Sequence, residues 1–140
     1  MQVETGRRGA YAMHTGMLAA GTAFVGFSAA HLIDEFLWNA PREFHLREGT
    51  TLVLALLFVT ALAGLLAGAA MQRPTSTFGL ALIGALIAVA DVSKHAPEIT
   101  AAGPWRSGLI STILAAGLTL SAGLTAVFAF HTWRALRRQR

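Results

Sequence analysis

The sequence predicts an all-α integral membrane protein, a four-helix bundle running up-down-up-down with its N and C termini in the cytoplasm. Three observations predict it. Hydrophobic residues make up 54% of the 140 residues and charged residues only 13%, about half the charged share of a soluble domain. A soluble chain this short would have too large a surface to cover with so few charges. The apolar residues fall into four long stretches, and the charges gather at their ends. The arginines are unevenly divided between the two ends of those stretches.

The first span covers residues 11–37, the second 50–71, the third 75–94 and the fourth 107–133. Each meets or approaches the roughly 20 apolar residues a membrane-crossing helix needs. No charge occurs between Glu48 and Arg73, and no Asp, Glu, Lys or Arg between Arg106 and Arg134. The stretches are rich in Ala and Leu and lack sustained two-residue alternation, which argues against strands. Four such runs also fall short of the eight or more strands of a membrane barrel.

Proline and its neighbours supply the breaks. Asn39-Ala40-Pro41 ends the first helix, because the residue before proline is pushed out of the α region. Arg73-Pro74-Thr75-Ser76 reads as a tight turn, Ala96-Pro97 as the end of the third helix, and Gly103-Pro104 as the entry to the fourth. Short connections favour antiparallel neighbours, and the whole chain, 1–140, reads as one transmembrane domain.

Orientation follows from charge. Arg7, Arg8, Arg73, Arg134, Arg137, Arg138 and Arg140 share one side with Glu4 as the only acid. The excess of basic residues puts that side in the cytoplasm of a multi-pass cytoplasmic-membrane protein. Trp38 and Trp105 mark the outer boundary and Trp133 the inner one, as an aromatic belt does. The Arg134–Arg140 tail is suited to anionic headgroups. Arg7-Arg8, the apolar run and Ser28-Ala29-Ala30 also have the layout of a cleavable signal peptide; the length and polar spacing of the run favour a retained helix.

Composition excludes several functions. The pI near 11.1 does not signal nucleic acid, since the basic residues form no stripe with interleaved aromatics. With no cysteine in the chain, disulfide, thiolate and cysteine-bound cluster chemistry are ruled out. No phosphate-cradling glycine loop, nucleophile elbow or His-Glu-x-x-His motif occurs. The excess of Arg over Lys, with abundant Ala and Gly, has the character of a GC-rich prokaryotic genome.

Small residues punctuate the spans: Gly16, Gly21 and Gly26 in the first, Gly64 and Gly68 in the second, Gly79 and Gly84 in the third. They allow helices to approach closely in lipid, and the expectation is internal packing rather than a dimer face.

The informative residues are ionisable. His31, Asp34, Glu35 and Trp38 on the first helix, and Asp91, Lys94, His95 and Glu98 on the third, each follow i, i+3, i+4, i+7 and so share one face. The two sets superimpose at an offset of 60 residues, which either a degenerate parallel repeat of helical hairpins or chance similarity between two helix ends would produce. At about 1.5 Å per residue, Ala12 to Ile33 already crosses a hydrocarbon core of about 30 Å. The cluster is therefore expected near the outer interface, with His31 and Asp91 about one turn deeper. A charge at the bilayer centre costs about 2.5–3.5 kcal/mol, so these groups should pair with one another.

Several readings of the cluster stay open. The leading one is a structural network that fixes helix register, or a small-molecule site, in an accessory or assembly protein. Such a protein would have the lipid bilayer as its partner and would work as a homo-oligomer or within a larger membrane complex. A second is metal or haem binding, with His31, His95 and Asp91 as the metal candidates; Lys94 would oppose a cation, and the Glu-x-x-His of di-iron bundles is missing. A third is acid–base catalysis on a lipophilic substrate. Ion transport is disfavoured because mid-span polar residues are only Ser, Thr and Gly, such as Thr22, Thr60 and Thr119. His14 and His131 are expected at the inner interface and His45 at the outer surface, without ligand roles.

Overall fold

A computed structural model describes residues 2–37, 45–100 and 109–138, with side chains described at residue 9 and over 11–37, 45–96 and 109–138. The described chain is all-helical. It contains α1 (Gln2–Leu37), α2 (Glu48–Ala70), α3 (Pro74–Thr100) and α4 (Leu109–Arg138). Each holds a segment long and apolar enough to cross a membrane: Tyr11–Leu37, Glu48–Ala70, Pro74–Ala96 and Leu109–Arg138. The 36 residues of α1 rise about 54 Å, well beyond a hydrocarbon core of about 30 Å.

The polarity of the bundle is inverted relative to a water-soluble one. Ser28, His31, Thr77, Asp91, His95, Ser111, Ser121, Thr125 and Thr132 are buried, whereas Leu52, Val53, Leu54, Leu56, Leu57, Leu86, Val89 and Leu120 are exposed. An apolar exterior this extensive belongs in lipid. The chain is a multi-pass membrane protein.

α4 packs along both α1 and α3, while α2 touches each of those helices over a shorter stretch. The buried face of α4 explains its central role. It consists of Ser111, Ala115, Leu118, Ser121, Ala122, Thr125, Ala129 and Thr132, mostly small residues at helical spacing that let neighbouring backbones come close. Gly84 of α3 meets this face. A Cβ at Gly84 would lie 2.7 Å from the Ala122 carbonyl oxygen and 3.1 Å from the Ala126 nitrogen. Met17, Phe24, Leu62, Leu80, Leu118, Ala122 and Ala129 form the apolar core.

Three sequence expectations need correction. The turn between α2 and α3 lies before Pro74, not at Arg73–Ser76. Gln72 takes a left-handed φ of 56°, Arg73 donates its N–H to the Gly68 carbonyl at 3.0 Å and Gln72 to Ala69 at 2.9 Å. This pair of bonds is a Schellman closure, and Pro74 follows as the first helical residue, where its missing N–H is harmless. Second, α3 runs through Ala96-Pro97 to Thr100. A propagating helix gains a bond with each added residue, and proline removes only one of them. Third, small residues pack internally at Gly16, Gly21, Gly68, Gly79 and Gly84, but Gly26 and Gly64 meet nothing within 4 Å. Asn39-Ala40-Pro41, Gly103-Pro104, Trp38 and Trp105 lie outside the described residues.

Candidate functional site

Helical geometry makes two pairs within the cluster. On α1, His31 Nε2 lies 3.8 Å from Glu35 Oε1, and on α3, His95 Nε2 lies 3.4 Å from Asp91 Oδ1. These are i, i+4 neighbours, which stand one above the other on a helix. α1 and α3 then meet through side chains across the bundle interior rather than by extended backbone packing. His31 Nε2 comes within 3.9 Å of Asp91 Oδ1, Lys94 Nζ lies 2.9 Å from Glu35 Oε2, and the His31 and His95 rings stand edge to face with centroids 5.6 Å apart.

α4 supplies residues whose role the sequence reading missed. Ser111 donates to Asp34 Oδ2 at 2.5 Å, and Thr119 donates to Asp91 Oδ2. Thr119 therefore holds one oxygen of Asp91 and leaves Oδ1 beside the two imidazoles. The i, i+3, i+4 set on α1 thus divides. Successive residues turn by about 100°, so His31 and Glu35 face the α3 cluster while Asp34 faces α4.

Burial is graded. His31, Asp91 and His95 are 7%, 7% and 5% exposed, the Glu35 side chain 18% and the Lys94 side chain 39%. The side chain of Glu98 lies outside the described residues. His14 is half-buried, and His45 and His131 are exposed.

The distances decide what kind of contact this is. Only the Lys94–Glu35 pair falls in the 2.7–3.2 Å range of a nitrogen–oxygen hydrogen bond. The 3.4, 3.8 and 3.9 Å separations are too long for that, so the donor atoms surround a small space without closing on one another. One ligand atom from each of His31, Asp91 and His95 lies within 4.8 Å of the others.

Among the described residues, Thr125 Oγ1 and Thr132 Oγ1 on the packed face of α4 are buried with no hydrogen-bond partner, and so are Ser28 Oγ and His31 Nδ1 near the cluster. Ser28 and His31 line a cavity of about 200 Å³ together with Leu32, Phe58, Asp91, Lys94 and Leu118. Phe58 belongs to α2, whose shorter contact with its neighbours leaves this space. On the other side of Asp91, a cleft of about 340 Å³ between α3 and α4 is lined by His95, Thr112, Ala115, Thr119 and Leu120. Asp91 borders both spaces.

No protein-family model, curated protein or solved structure matches this chain.

Proposed function

We propose that this chain is a single-domain protein of the cytoplasmic membrane, folded up-down-up-down with both termini cytoplasmic, that binds a small ligand or ion at the His31–Asp91–His95 centre. It acts as a binding or accessory protein rather than a catalyst. The observation that carries this reading is that two of the unsatisfied buried groups, Ser28 Oγ and His31 Nδ1, belong to residues lining one cavity beside Asp91. A buried group left without a partner costs about 1–3 kcal/mol, and here the space beside two such groups can hold an occupant that supplies one. The cavity is below the roughly 300–1,000 Å³ of sites for drug-sized ligands, which favours a small occupant.

The test is thermal unfolding in detergent with ammonium salts, short carboxylates and divalent cations. An occupant at 100 times its Kd stabilises by about 2.7 kcal/mol. One class should raise the Tm of the wild type and leave His31→Gln unmoved. If none does, and Asp91→Asn simply misassembles, the centre is a structural lock.

Topology has its own test. The chain lacks cysteine, and a side chain at Gly9 or Gly49 meets nothing within 4 Å. Gly9→Cys should react with an impermeant thiol reagent only from the cytoplasm and Gly49→Cys only from outside. The proximity of Gly16 to Phe128 and of Gly68 to Ser76 supports the antiparallel pairing of α1 with α4 and of α2 with α3.

The cleft between α3 and α4 favours a second reading, acid–base chemistry on a lipophilic substrate that reaches Asp91 and His95 laterally. Its apolar lining continues along Val89, Val92, Leu120 and Gly123. Gly123→Phe should then abolish co-purification of a defined lipid; wild-type protein free of bound lipid counts against it.

A further inference from the structure

Resting on the binding reading above, we propose that the occupant is a divalent transition-metal ion of the zinc class, held by His31, Asp91 and His95 with a fourth position open to the cavity beside Phe58.

Donor chemistry comes first. Two imidazoles and a carboxylate suit zinc and its neighbours, whereas calcium and magnesium require sets built largely from oxygen. The absence of cysteine removes the thiolates that favour cuprous ions.

Geometry agrees. Bonds of about 2.0–2.1 Å to nitrogen and oxygen in a tetrahedral site put neighbouring ligand atoms about 3.3–3.4 Å apart. His95 Nε2 and Asp91 Oδ1 are 3.4 Å apart; His31 Nε2 and Asp91 Oδ1, at 3.9 Å, need a shift of about half an ångström. Three protein ligands with an open fourth position is also how non-structural zinc sites are built.

The surroundings of Asp91 match those of a metal-bound carboxylate. Ligating carboxylates are oriented by hydrogen bonds from their second oxygen, and Thr119 provides one to Asp91 Oδ2. Lys94 would repel a cation, but its ammonium group is engaged by Glu35 at 2.9 Å and its side chain is 39% exposed.

The test uses Co²⁺ as a spectroscopic probe. Full-length protein in detergent is stripped with chelator and titrated with CoCl₂, followed by Zn²⁺ competition. One Co²⁺ per chain should bind with a visible tetrahedral ligand-field band that Zn²⁺ abolishes. His31→Gln and Asp91→Asn should weaken binding by more than about 100-fold, and Thr119→Val, which alters only the carboxylate's support, by about 10-fold. Lys94→Gln should keep the stoichiometry. Should the ligand variants fail to fold, Cu²⁺ bound to the wild type must show coupling to two imidazole nitrogens. Absence of stoichiometric binding, or a band unchanged in the His31→Gln, Asp91→Asn double variant, overturns the proposal. If Co²⁺ and Zn²⁺ fail while ammonium or a carboxylate raises the Tm of the wild type alone, only the metal assignment falls. If no probe acts, the binding reading falls with it.

Discussion

Phe24 and His31 lie about two turns apart on α1 and are both buried, yet their surroundings differ in kind. Around Phe24, the core residues Met17, Leu62, Leu80 and Ala122 pack side chain against side chain. Around His31, the polar atoms stand 3.8 and 3.9 Å from their partners, and a cavity adjoins them. One half of the bundle is closed by packing. The other keeps a cavity beside imidazoles that stand 3.4–3.9 Å from their carboxylate neighbours. Binding sites are commonly arranged this way, with rigid packed elements carrying a region that gives up stability for function.

The severest way to break the contrast is to separate α3 from α4, on which both halves depend. Gly84→Leu drives a side chain into the Ala122 carbonyl and Ala126. The expected loss is about 3 kcal/mol, the upper end for over-packing, read as a lowered midpoint in denaturant titration of the detergent-solubilised protein. Phe24→Ala should have the next largest effect. In lipid the transfer part of a core truncation largely vanishes, since acyl chains are as apolar as the core. Part of the usual 3–5 kcal/mol remains as lost packing, roughly 2 kcal/mol by the same titration. The smallest change should stabilise. Gln72 holds a left-handed φ of 56°, which costs a non-glycine residue about 1–2 kcal/mol. Gln72→Gly recovers that less glycine's own entropy of about 0.5–1 kcal/mol. The net gain, about 0.5 kcal/mol, should raise the Tm slightly and leave ligand-dependent shifts unchanged.

The four helices were legible because their signal is long and redundant. The apolar run from Thr50 to Met71, for example, is uninterrupted by charge. The i, i+4 pairs His31–Glu35 and Asp91–His95 were legible too, because helical periodicity alone brings them together. The part played by α4 was not. Thr119 and Ser111 look like any hydroxyl in a membrane helix, and many of those bond their own backbone, as Ser121 does to the Gly117 carbonyl. The one available clue was the recurrence of small and hydroxyl residues along α4 at Ser111, Ala115, Ser121, Ala122, Thr125, Ala129 and Thr132, which marks the face turned inward. Pro97 misled for a different reason: a local preference before proline competes with a helix already under way.

Lys94 is the only lysine in the sequence; it lines the cavity, and its ammonium group pairs with Glu35. Amine-directed acylation therefore addresses one internal position without any engineering. Neutralising that amine would free Oε2 of the carboxylate whose Oε1 lies beside His31, turning a single chemical label into a dial on the charge of the interior.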